Sequence, residues 1–304
     1  MVAGAVAGSA GCGDSGAGGS GLPVVATTTQ TADFVRAVGG TRVDVHGVLA
    51  PNSDPHEYEP RPSDARAVAA AKLVVRSGGD VDDWLGDVID NAGGDATVLT
   101  LIDHVQRRGD DPHWWQDPRN VVRAVGAIAD ALADADPGGA GAYRANARAY
   151  VGRLRALDEG IARCMRSVPA ARRKLVTSHD SLAYLAAHYD IDVVGSVLPA
   201  LSTEAQPSAG DTDRLVRRIR AEHVSTIFTE SALDPRLERA IAREAGAHVG
   251  KRLWADALGP SGSDGATYLE AMASNADALV RGFTDGERGC PLHADPAPPR
   301  GGAE

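Results

Sequence analysis

The sequence predicts an α/β protein of two similar lobes, each a parallel sheet flanked by helices, joined by one long linker helix. Three observations carry this prediction. The order of strands and helices in the first third of the chain recurs in the last third. The spacing between matching segments is nearly constant: 151 residues from Val24 to Leu175, and 153 from both Val74 to Ile227 and Thr100 to Leu253. Between the two copies runs a helical stretch of nearly thirty residues. Alternating strand and helix units imply parallel sheets covered by helices on both faces, and 304 residues suit about two such units.

The elements follow in order. Leu22–Val25 is a short apolar strand, and TADFVRAVGG is an amphipathic helix stopped by two glycines. VDVHGVLAP alternates and is β-branched, a second strand. From Lys174 the same series returns: KLVTSHD as strand and loop, SLAYLAAHYD as helix, IDVVGSVLP as a strand closed by Pro199. KLVVRSGGDVDDWLGDVIDNAGG reads as strand, glycine turn, helix and glycine stop, and VSTIFTESALDPRLERAIAREAG has the same plan. TLIDH at 100–104 then matches LWADA at 253–257 as a third pair of strands. Between the copies, a helix opens at Asp117-Pro118 and a second runs from Ala142 towards Pro169. At 1.5 Å per residue the latter spans ~40 Å, the height of both lobes. A last helix ends near Phe283, and beyond Asp285 the chain is expected to fray. The expected division is a signal or lipoprotein tether at 1–21, a first lobe at 22–136, a linker helix at 137–168, a second lobe at 169–286 and a disordered tail at 287–304.

Composition narrows the function. A net charge of -10 without a basic cluster disfavours nucleic acid and anionic membrane surfaces as partners. Aromatic residues at 4% leave no stacking platform for single strands. No apolar run reaches the ~18 residues that span a bilayer. The N-terminus MVAGAVAGSAGC, followed by GDSGAGGSG, reads as the end of a secretory signal with Cys12 as the lipid-bearing residue. Ser9 stands where such sites usually carry Leu, and a basic leader is missing. The alternative is a Gly/Ser tail with an incidental cysteine. On the lipoprotein reading the protein is extracytoplasmic, its membrane contact is a lipid anchor, and Cys164 and Cys290 remain to pair in an oxidising compartment. Two unrelated thiols are the alternative there.

Ligands of such folds bind at the carboxyl ends of strands. Four residues stand there. His56 follows the second strand between Pro55 and Pro60, and His113 precedes the helix at Pro118. His179 ends the first strand of the second copy, and Asp256 lies in LWADALGP. Three imidazoles and a carboxylate complete a Zn²⁺ tetrahedron, and a closed four-ligand site is one for binding. A lone loop histidine is more often a surface hydrogen-bonding residue, as His46, His188, His223, His248 and His293 illustrate. His104 falls in the loop leading to His113 and is a candidate for metal capture. Glu57, Glu59, Asp117 and Glu230 are candidates to hold the ligands' second ring nitrogens, with helix capping or solvation the alternative. Trp114, Trp115 and Trp254 flank ligands and are candidates to shield them from water.

PNSDPHEYEP, DPHWWQDP, TSHDSLAYLA, FTES and LWADALG followed by TYLEAMASNADALVRGF resemble the zinc/manganese substrate-binding lipoproteins of ABC importers, the cluster A-I or TroA-like group. The resemblance runs from Leu22 to Phe283. It implies a TroA-like fold and metal ligands at His56, His113, His179 and Asp256. It also implies an extracytoplasmic monomer that passes its ion to an ABC permease, with a metallochaperone as a further candidate partner. Many zinc members carry a long His-rich loop before the second ligand; here LIDHVQRRGDDPH has only His104 in that role. A histidine at 179 favours Zn²⁺, and Mn²⁺, which prefers more oxygen, is the alternative. A zinc-dependent surface hydrolase would use Asp256 as base, but no HExxH motif is present.

Overall fold

The computed structural model describes residues 21–292. The first lobe is built on β1 (Leu22–Ala26), β2 (Val43–Gly47), β3 (Leu73–Arg76) and β4 (Thr97–Thr100). All pair in parallel, in the order β2-β1-β3-β4. β1 and β3 are central, and Val24, Val25, Leu73, Val74 and Val75 are all buried, the run expected of a strand covered on both faces. The covering helices are α1 (Thr29–Gly39), α2 (Pro62–Ala70) and α3 (Trp84–Ala92). α1 starts where it does because Thr28 and Thr31 form a reciprocal capping box. It turns Phe34, Val35 and Val38 inward.

α4 (Pro118–Ala135) and α5 (Ala140–Arg166) follow. In α5 the buried residues Tyr143, Ala147, Tyr150, Leu154, Leu157 and Ile161 recur at alternating steps of four and three. Such a stripe keeps one face of a long helix against its neighbours. Here the neighbours are α1 and α4, then α9 (Tyr268–Phe283). One helix therefore carries the core of both lobes.

The second lobe contains β5 (Lys174–His179), α6 (Ala183–Tyr189), β6 (Asp192–Leu198), α7 (Ala209–Ala221), β7 (Thr226–Ile227), α8 (Arg236–Ala245) and β8 (His248–Val249). β5 pairs with β6 and β7 with β8, both in parallel. The Phe228 N–H donates to the Val176 carbonyl at 2.9 Å and joins the pairs. The order β6-β5-β7-β8 thus repeats that of the first lobe.

Three expectations are corrected. TLIDH is not a strand: β4 ends at Thr100, and Leu101–His104 is a 3-10 turn. The Ile102 N–H turns back to the Ser77 carbonyl at 2.9 Å, and both Leu101 and Ile102 are buried. Nor is LWADA a strand; Leu253 makes one bridge, to Glu230, before the chain crosses to the first lobe. Finally, the chain beyond residue 286 does not fray at once. Cys164 and Cys290 form a disulfide with a Cα–Cα distance of 5.6 Å, and Cys290 is buried. Leu292 then packs where Gly160 leaves room on α5, since a Cβ there would stand 2.8 Å from it. α2 and α7 were not anticipated, because few of their residues face inward. Cys12, His293 and the tether and tail ends at 1–20 and 293–304 lie outside the described residues. Among the described residues no helix is long and apolar enough to cross a membrane.

Candidate metal centre

His56 and His113 are placed by the same local device. In Asp54-Pro55-His56 the Asp54 Oδ1 accepts the His56 backbone N–H at 3.0 Å, and in Asp111-Pro112-His113 the Asp111 Oδ1 accepts the His113 N–H at 3.0 Å. An aspartate bonding the backbone two residues on makes a compact turn, and the intervening proline fixes its φ. His179 ends β5, where Glu230, at the end of the β7 segment, accepts its backbone N–H at 3.1 Å. Asp256 sits in the chain that leaves the Leu253 bridge.

The four side chains converge. Each offers one ligand atom, and these atoms all lie within 4.8 Å of one another. The Nε2 atoms of His113 and His179 are 3.4 Å apart. Asp256 Oδ2 lies 3.0 Å from His179 Nε2 and 3.4 Å from His56 Nε2, and Oδ1 lies 3.6 Å from His113 Nε2. All four side chains are at most 4% exposed.

Two of the rings have fixed tautomers. His113 Nδ1 donates to Asp111 at 2.8 Å and His179 Nδ1 to Glu230 at 3.0 Å. A carboxylate only accepts, so Nδ1 carries a proton, and in the neutral form of each ring Nε2 presents its lone pair to the cluster. Among the described residues, His56 Nε2 and both Asp256 oxygens are buried without a hydrogen-bond partner. Buried polar atoms are rarely left so, and a cation among them satisfies all three. Burial opposes charge on His56, but Asp256 outweighs it and holds the imidazole above its ordinary pKa. His179 is likewise buried, and Glu230 and Asp256 hold it well above. Burial pushes the Asp256 carboxyl up, and His179 and His113 overcome this to hold it well below.

The remaining candidates fare differently. Of the four carboxylates suggested to support the ligands, only Glu230 touches one. Glu57 and Glu59 are exposed. Asp117 caps α4, accepting from the Arg119 N–H at 2.9 Å and pairing with its guanidinium at 2.7 Å. The supports missed are Asp54 and Asp111, and the repeated Asp-Pro-His was their signal. His104 is exposed at the end of its 3-10 turn. The Trp115 ring lies 5.4 Å from the His113 ring and shields it. Trp114 is core, its indole N–H bonded to Ser77. Trp254 is partly exposed, and its indole N–H goes to Asp264 at 3.2 Å.

Two lobes on a common helix, with convergent ligand atoms at their seam, define the class: a two-lobed binding protein. Comparison with known proteins gives the family. Residues 24–282 match the family described as ZnuA, zinc-uptake complex component A, periplasmic. The manganese-binding lipoprotein MntA of Halalkalibacterium halodurans is 30% identical over 285 residues, covering 90% of this chain and 94% of that protein. The metal ABC transporter substrate-binding lipoprotein SsaB of Streptococcus sanguinis is 26% identical, covering 86% and 89%. Among solved structures, the periplasmic zinc-binding protein TroA of Treponema pallidum superposes with a TM-score of 0.80 at 27% identity, covering 86% of this chain and 99% of that one. The chain belongs to the ZnuA/TroA-like family of metal-binding substrate-binding lipoproteins of ABC importers.

Proposed function

We propose that the chain captures one Zn²⁺ through His56, His113, His179 and Asp256 outside the cytoplasm and delivers it to an ABC permease. The observation that carries this reading is the cluster itself: four ligand atoms from four separate segments, within 4.8 Å of one another, with the supporting carboxylates of two rings in place. Three imidazoles with one carboxylate are the donors a zinc tetrahedron takes. Manganese is the second reading, and a specific observation favours it. Both Asp256 oxygens are buried and unpartnered, so the site offers a fifth donor, and Mn²⁺ is the oxygen-preferring ion of the two. The relatives' names divide between the same two metals.

The reading is of a binder, not an enzyme. A hydrolytic base would have to face an attacking water, whereas both Asp256 oxygens face the three rings. Anchoring through a lipid on Cys12 is supported by the lipoprotein names of the relatives and tested by the mass of the N-terminal peptide from membranes. The chain is proposed to act as a monomer. A metallochaperone partner is testable by metal transfer between purified proteins.

The deciding experiment is a competition titration. The metal-stripped chain is titrated with Zn²⁺, then Mn²⁺, against a chromophoric chelator. One equivalent of zinc bound far more tightly than manganese is expected. Equal or preferred manganese binding moves the assignment to the second reading, and tight binding of neither ion ends both.

A further inference from the structure

The Asp256 carboxylate has no hydrogen-bond donor of its own among the described residues. What fixes it is the backbone on either side. Upstream, the second lobe holds the chain: the Leu253 N–H donates to the Thr229 carbonyl at 2.8 Å, and Asn275 takes both polar groups of Trp254 at 2.8 Å. One residue later the grip changes lobes. The Ala255 carbonyl accepts from Trp115 Nε1 at 2.9 Å, Gln116 Nε2 at 2.9 Å and Gln30 Nε2 at 3.4 Å, all first-lobe side chains. The Leu258 N–H then donates to Thr29 Oγ1 at 2.8 Å. Asp256 is thus the first residue beyond the handover.

A carbonyl oxygen has two lone pairs. Trp115 and Gln116 fill them, and Gln30 makes the longer third contact. Both belong to the 3-10 turn that begins directly after His113. One turn therefore carries a first-lobe ligand and grips the backbone of the second-lobe ligand. Gln116 is fully buried and its Oε1 has no partner. An apolar side chain of equal size would fill the space without stranding an oxygen; among the described residues the bond that the amide makes is the one to Ala255.

We infer that Gln116 and Trp115 are positioning residues for the ion, fixing the Ala255–Asp256 peptide and so setting how fast a bound ion escapes. The inference rests on the reading of the cluster as an ion site. An ion held by four buried ligands leaves only when one of them swings aside. Asp256, whose carboxylate faces only the three rings of the cluster, is that ligand once the Ala255 carbonyl is let go. Capture should change less than release, as affinity changes among variants of one site fall mainly on the off-rate.

The test is zinc release from the full chain into excess chelator, followed by stopped flow, for the parent, Gln116→Leu and Trp115→Phe. Phenylalanine keeps a ring against His113 and removes the N–H; leucine keeps the volume. Release is expected to quicken roughly three- to tenfold in each, the effect of one neutral hydrogen bond. The stoichiometry should stay at one ion, and the metal-free melting temperature should stay near the parent's. Release at the parent's rate in both variants overturns the inference while leaving the ion site standing. So does faster release accompanied by an equal loss of metal-free stability, which marks general loosening. A parent that takes up no zinc overturns the ion site and the inference together.

Discussion

The two lobes share one strand order but not one construction. The first has a continuous four-stranded ladder and presents its histidines on two Asp-Pro-His turns outside the sheet. The second has the same order in shorter pieces: β7 and β8 are two residues each, and the chain near Leu253 keeps one bridge. Its proposed ligands lie at the end of β5 and in the chain beyond that bridge. The difference has a physical cause. A full strand through 253–257 would commit its backbone groups to its own sheet, and the Ala255 carbonyl and Leu258 N–H are needed by the first lobe. Regularity in one lobe is exchanged for a joint grip on the shared ligand.

The largest test of this comparison is Asp256→Ala. Removing the one charged ligand leaves three buried imidazoles without their carboxylate. Zinc affinity should fall by a factor on the order of 10²–10³, read by chelator competition. A variant that keeps zinc would break the claim that the seam belongs to both lobes. Next, Cys164→Ser with Cys290→Ser frees the end of the second lobe from α5. A native bridge across 126 residues contributes about 2–4 kcal/mol, so the unfolding midpoint in urea should fall while zinc affinity holds. Third, Asp111→Asn and Glu230→Gln ask whether the lobes are equivalent at the ligand. Each should weaken zinc binding roughly 10- to 100-fold, and an effect confined to one lobe would refute equivalence.

Acidity gives a smaller effect, with a definite sign. His56 and His179 must lose their protons to bind an ion. Both hold them above the ordinary value of about 6.5. Affinity should therefore begin to fall above pH ~6.5 on acidification, by about tenfold per pH unit for each proton displaced. Without metal, the raised histidines add stability below about pH 6.5 that is lost as pH rises through their folded values. The lowered Asp256 adds stability above about pH 3.9 that is lost as pH falls through its folded value. The metal-free parent should thus gain over Asp256→Asn chiefly between those limits, measured by thermal melts across pH. The smallest expectation is that Glu57→Gln and Glu59→Gln, both exposed, leave zinc affinity within twofold, about 0.4 kcal/mol.

Much of this was legible in the sequence, for particular reasons. The strand β1 and its copy β5 each hold a pair of buried β-branched residues, Val24-Val25 and Val176-Thr177, so their offset could be measured on the letters. The stripe of α5 shows as a repeating apolar period. Of the proposed ligands, His179 stands out because it ends a strand, and His56 and His113 because each follows Asp-Pro. The misreadings have causes too. TLIDH reads as a strand from its constant offset to LWADA, but only Thr100 is strand and the chain then turns into a 3-10 helix. α2 buries only Asp64 and Val68, leaving no apolar face to detect. Asp54 and Asp111 stand two residues before the histidines, where the turn lets each accept the histidine backbone N–H. The Ala255 handover has no local signal, since its donors lie 139 and 140 residues away in the chain.

That separation has a consequence for the birth of the protein. The four ligand positions run from His56 to Asp256, and no two are close in sequence. A chain emerging from its N-terminus can offer two histidines once the first lobe is made, and the complete set only after nearly everything else has been synthesised and folded. Closing such long loops is slow relative to forming local turns. Ion binding stabilises only the state that it recognises, by RT ln(1 + [L]/Kd). If the four residues bind an ion as proposed, tight binding waits until folding is finished.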